Sequence, residues 1–254
     1  MKFLKVIAIA ALSIVSCSKS KITPPSAFVT LNFSHQWDGA TVTKSDFNTI
    51  KFTNANGQQL SIERLRYLVS AITLTNTEKQ KTIIKAIQLV NLGEEKGLRL
   101  TSDFAVPQGK YTLSFIFGLN DTGNLDGVYQ ELNSVSFNVP TMLGGGYHFM
   151  QFDGKFNGSN SLINNFNYHV IRAVNREDLA NVIFKDTSFE VNLGDVVINE
   201  SGVIEVKMDI SEWFKNPNLW DLNTLNSMLM TDFNAQVLMS ANGKSVFSLG
   251  AVTP

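Results

Sequence analysis

The sequence predicts an all-β domain, an antiparallel β-sandwich with one or two short helices near the C-terminus. Three observations lead there. Segments in which apolar and polar residues alternate recur along the chain, as they must when successive strand side chains point to opposite faces. Turn-forming pairs such as Asp38-Gly39, Asn56-Gly57 and Asn242-Gly243 punctuate them. Helical periodicity is nearly absent before residue 210. A length of 254 residues suits one all-β domain, and a hydrophobic fraction of 44% supplies a core that needs no disulfide.

The N-terminus bears on the compartment. Lys2 and Lys5 precede a short apolar run, Val6 to Val15, too short for a permanent membrane span. It ends in Ile14-Val15-Ser16-Cys17, which resembles a bacterial lipobox, where the cysteine is acylated and becomes the mature N-terminus. Residues 1–16 are then a lipoprotein signal peptide, 17–26 a flexible tether containing Pro24-Pro25, and 27–254 a single domain. The expected membrane contact is the lipid on Cys17. That residue is the only cysteine, so an exported chain has no partner thiol within itself. Cleavage removes two lysines and takes the net charge from −1 to −3. No basic face is advertised, and nucleic acid is not an expected partner.

In chain order, Phe28 to Trp37 alternates Val29, Leu31, Phe33, His35 and Trp37 with polar residues, which predicts a strand with one buried face. Ile50 to Thr53 and Gln58 to Ile62 flank Asn56-Gly57 as a hairpin. Leu65 to Asn76 reads as a buried strand with a bulge near Ser70, because its apolar residues change face there. Ile83 to Val90, Leu98 to Phe104 and Lys110 to Leu119 follow as strands. The loop from Asn120 to Leu132 carries Asp121, Asn124 and Asp126. Such oxygens suit calcium, but the spacing does not fit an EF-hand loop, and a solvated turn is expected. Later, Asn181 to Phe184, Ser188 to Leu193 and Gly202 to Ile210 read as strands. Ser211 is a candidate N-cap for a short aromatic helix, and apolar spacings of three and four predict a helix over Asp221 to Ser240. Ser245 to Leu249 closes the chain as a strand.

Between these lies Gly144 to Ile171, which reads as a complete β-hairpin with Asn-Gly-Ser-Asn-Ser as its loop. A regular first strand places His148, Met150, Phe152 and Phe156 on one face. Tyr147-His148 and Tyr168-His169 stand at opposite ends of the pair, so the fold of a hairpin brings the two imidazoles together. The candidate metal ligands are His35, His148 and His169, with Met150 as a soft supplement; imidazole and thioether are donors that suit copper. The plainer alternative is that each histidine ends a strand and bonds locally while Met150 fills core. No Gly-x-Ser-x-Gly, His-Glu-x-x-His or phosphate-loop motif is present, and a non-enzymatic protein is expected.

Five blocks in this order resemble the MbnP-like family, named for a periplasmic copper-binding protein associated with methanobactin systems. They are FVTLNFSHQWDG, NGQQLSIERLRYLVSAITL, GKYTLSFIFGLNDTGNLDG, GYHFMQFDGKF with FNYHV, and VKMDISEWFKNP. The resemblance implies a β-sandwich lipoprotein or periplasmic protein of a type common in Bacteroidetes. It also implies copper bound by two histidines and an oxidised tryptophan, and a di-haem peroxidase-like partner. His169, in the Tyr-His block, matches most clearly, and His35 with Trp37 forms a His-x-Trp pair that chemically resembles the ligand set. Two features depart from the pattern. Met142-Leu143-Gly144 lacks the tryptophan of a Met-x-Trp block, and Met228 and Met230 stand where members often carry a histidine. In Bacteroidetes-like lipoproteins acidic residues after the cysteine mark surface export; here Ser18-Lys19-Ser20-Lys21 follows, so a periplasm-facing anchor on the outer membrane is expected. Two functions result: a lipid-anchored copper-binding protein, or a ligand- or protein-binding module without metal. The distance between imidazoles separates them.

Overall fold

The computed structural model describes residues 25–200 and 202–253. The segment expected to be a signal peptide, Cys17 and the expected tether as far as residue 24 lie outside the described residues. The principal strands are β1 (Thr30–Trp37), β2 (Arg64–Asn76), β3 (Lys81–Asn91), β4 (Gly109–Phe117), β5 (Met150–Asn157), β6 (Ile163–Val170), β7 (Phe189–Ile198), β8 (Val203–Asp209) and β9 (Phe247–Thr253). One sheet of eight strands runs β7-β4-β2-β5 and on to short strands Gln59–Leu60 and Phe52–Thr53, with β3 also paired to β2 and β6 to β5. A sheet of five strands runs β9-β8-β1 with short strands Ala40–Thr41 and Arg99–Thr101 along β1. The principal ladders are antiparallel except that of β8 with β1, which is parallel.

The alternating segments form these strands because each has an apolar set to bury. Phe33, Tyr67, Phe115, Phe117, Phe152 and Tyr168 are all at most 2% exposed and fill the space between the sheets with Trp213. Burying one such side chain contributes about 1.5–3 kcal/mol. The bulge expected near Ser70 is present: Ala71 has φ +47°, and the register with β3 shifts between Ile72 and Thr73.

Two C-terminal expectations change. The helix predicted over Asp221 to Ser240 begins only at Phe233 and runs past Ser240 to Gly243 as α1 (Phe233–Gly243), capped by Asp232, whose carboxylate accepts the Ala235 amide. Asp221 accepts the Asn223 amide and the carbonyl of Asn226 accepts the Asn167 amide of β6, so the backbone before α1 is committed to turns and to a strand edge. The apolar spacing reflects side chains such as Leu222 and Leu229 dropping from those turns into the core. The aromatic helix is a 3-10 segment, Ile210–Phe214, and its N-cap is Asp209 rather than Ser211.

His35 is a core residue of β1. It is 4% exposed, and its Nε2 lies 3.2 Å from the Tyr67 hydroxyl. Burial lowers its pKa to about 4. The unfolded chain takes up the proton at its ordinary value of 6.5, so the stabilising effect of the neutral ring is complete above about pH 6.5 and declines as pH falls towards 4. The slope is about 1.4 kcal/mol per pH unit for this one group. Urea denaturation between pH 7.5 and 4.5 should therefore show a shallower decline in His35→Gln, whose side chain stays neutral, than in the wild type.

Candidate metal centre

The hairpin of β5 and β6 positions the site. Its ladder pairs Met150 with Val170, Gln151 with His169, Phe152 with Tyr168 and Asp153 with Asn167. Phe152, Tyr168 and Val170 face the core, so by alternation Gln151, Asp153 and His169 share the outer face of the sheet. Arg66 of β2 pairs in register with Gln151 and Arg64 with Asp153, which extends this outer polar row across the sheet.

His148 joins the row because the strand is not regular before Met150. At Leu68 the edge of β2 changes partner: its amide donates to the Phe149 carbonyl and its carbonyl accepts from the Gly118 amide. The chain bends at Phe149, whose ring lies directly over Gly118. His148 thereby leaves the face of Met150 and meets His169, with ring centres 5.3 Å apart and planes at 84°. The face predicted from regular alternation is corrected by this bend.

Each imidazole is held at one nitrogen. His148 Nδ1 lies 3.0 Å from the Phe137 carbonyl oxygen, which also accepts the His148 amide. His169 Nε2 lies 2.7 Å from Asp153 Oδ1. The other nitrogens, His148 Nε2 and His169 Nδ1, are buried and have no hydrogen-bond partner among the described residues. Burial lowers the pKa of His148 to about 4, opposed by the Phe137 bond and helped by the neighbouring His169 and Arg66. Burial pushes the Asp153 carboxyl up, but the bonds from His169 and Asn167 and the charge of Arg64 outweigh it and hold the group below its ordinary value. Arg64 Nε stands 2.7 Å from Asp153 Oδ2 as an ion pair without an aligned hydrogen bond.

Residues outside the predicted ligand set carry this frame. Arg66 Nε donates to Gln151 Oε1 at 2.6 Å, and its terminal nitrogens donate to the carbonyls of Val135 and Ser136, clamping the turn that presents Phe137. Asn124 and Asp126 accept the amides of Tyr147 and Gly146. Two of the three oxygen-bearing loop residues thus spend their oxygens on the backbone that leads into His148. Gly146, at φ +76°, leaves no room for a Cβ beside Asn124. In the sequence Asn124 and Asp126 read only as part of a polar loop, and no local motif ties them or Arg66 to the histidine.

The structure brings together His148 and His169 and keeps His35 and Met150 apart from them. Met150 pairs in register with Tyr67, on the face opposite His169, and is fully buried. His35 lies against Tyr67 on that same interior side. Trp37 is buried against Phe52 and Phe214, and its Nε1 donates to the Thr53 carbonyl. Among the described residues, no three histidine, cysteine or carboxylate side chains converge on one point. The site offers two imidazoles.

Comparison with known proteins follows the same line. The MbnP family model matches residues 26–231. The chain belongs to the MbnP family. A solved structure of MbnP from Methylosinus trichosporium superimposes with a TM-score of 0.57 at 14% identity, covering 89% of this chain and 99% of that one. At that identity the likeness to the solved MbnP establishes a shared fold. No curated protein matches the chain in sequence.

Proposed function

We propose that this MbnP-family protein is a copper-binding lipoprotein of the cell envelope, with His148 and His169 as the protein's ligands. One observation carries the reading: two imidazoles that meet edge-to-face, each bonded at one nitrogen and with its other nitrogen buried and unpartnered. A buried polar atom without a partner costs about 1–3 kcal/mol, so two of them side by side in one chain ask for an occupant. Two imidazoles bonded to one ion at about 2.0 Å have ring centres no more than about 6 Å apart. The observed 5.3 Å lies inside that limit. Two neutral nitrogen donors in a half-buried site suit copper better than the hard, oxygen-seeking cations. The role is binding rather than catalysis, and His35 and Met150 take no part in it.

Titration of the purified domain with copper against a chelator of known affinity should give one ion per chain; a wild-type protein that takes up none overturns the reading. Attachment through Cys17 at the periplasmic face of the outer membrane is the second half of the proposal, and the lipobox supports it. Cys17→Ala should move the protein out of the membrane fraction; an unchanged fractionation would remove the anchor and leave the copper site untouched.

A further inference from the structure

The carboxylate behind His169 decides which of its nitrogens is offered. Asp153 Oδ1 lies 2.7 Å from His169 Nε2, and the Asn167 amide donates to the same oxygen at 2.7 Å. Arg64 stands on Oδ2. A carboxylate so surrounded is an acceptor only, and the nitrogen facing it must carry the proton. In the neutral ring the lone pair of His169 is then on Nδ1, the buried nitrogen without a partner. At His148 the assignment is reversed, because its Nδ1 faces a backbone carbonyl, also an acceptor only, and Nε2 is left free.

We infer that Asp153 is a positioning residue that holds His169 as the Nε2–H tautomer, so that the pair binds through unlike nitrogens, Nε2 of His148 and Nδ1 of His169. The inference rests on the copper reading above. Without Asp153 the His169 ring is free to rotate and to exchange its proton between nitrogens, and the Nδ1 lone pair is no longer presented at a fixed place. Removing such a partner behind a ligating histidine typically weakens metal affinity about 10- to 100-fold.

The test joins a metal-free readout to a metal-dependent one. In the metal-free wild type, nitrogen-15 NMR of the imidazoles should show His169 protonated at Nε2, with a slowly exchanging proton, and His148 protonated at Nδ1. Asp153→Ala should lose the slow proton at His169, populate both tautomers and bind copper about 10- to 100-fold more weakly. Asp153→Asn keeps an acceptor oxygen in the same place and should recover most of both properties, which a role that depends on the carboxylate's charge would not allow. A wild-type His169 protonated at Nδ1, or an Asp153→Ala protein that binds copper as the wild type does, overturns the inference while the copper reading stands. A wild type that binds no copper removes that reading, and the inference with it.

Discussion

Copper affinity should fall by more than about 100-fold in both His148→Ala and His169→Ala, since loss of a ligand exceeds the 10- to 100-fold usual for loss of its supporting partner. Met150→Leu should bind as the wild type does and cost less than about 1.5 kcal/mol of stability, being a volume-conserving exchange in the core. The contrast is sharp because Met150 is adjacent to the site in sequence yet lies on the other face of β5. Each alanine variant leaves the partner's nitrogens as they are, and His169 lies on an outer face where truncation empties little of the core. Folding is therefore expected to persist, and thermal melts of the metal-free variants verify it. Equal weakening by Met150→Leu would show that the thioether is a ligand as well, and that the site is not the imidazole pair alone.

The second large effect is expected from Gly118→Ala, at about 3 kcal/mol of destabilisation. Gly118 has φ +79°, where an L side chain is strained by about 1–2 kcal/mol. A Cβ there also overlaps three ring atoms of the fully buried Phe149, and overpacking of this kind costs about 1–3 kcal/mol. Gly57→Ala is the control. It has φ +82° and no neighbour within 4 Å, so only the backbone strain remains. Chemical denaturation should separate the two variants by about 2 kcal/mol. The consequence extends to the site, because the Phe149 ring sets the bend that puts His148 beside His169. Gly118→Ala should weaken copper binding, whereas Gly57→Ala should leave it unchanged.

The strands were legible because period-two alternation follows from the pleat itself, and β1, β2 and β4 bury the apolar sets their sequences display. The meeting of His148 and His169 was legible for a related reason: a hairpin with one loop returns the second Tyr-His to the start of the first. The bend at Phe149 was not. It depends on β2 changing partners at Leu68 and on the absence of a side chain at Gly118, two residues remote in sequence. Asp153, Gln151 and Arg66 carry no signal in the sequence because a support contributed across a sheet leaves no local spacing to detect. The turns before α1 carry a helical pattern because apolar residues at steps of three and four mark a side of a helix or a run of turns over a core equally well. His35 shows the limit from the other direction. Its residue type proposed a ligand, and only its contact with Tyr67 assigned it to the interior.

The most direct measurement is an anomalous difference map at the copper edge from crystals of the copper-loaded protein. One peak is expected, bonded to His148 Nε2 and His169 Nδ1 on the outer face of the β5–β6 hairpin. A peak at His35 or Met150, or none between the two imidazoles of a protein that carries copper, would contradict it.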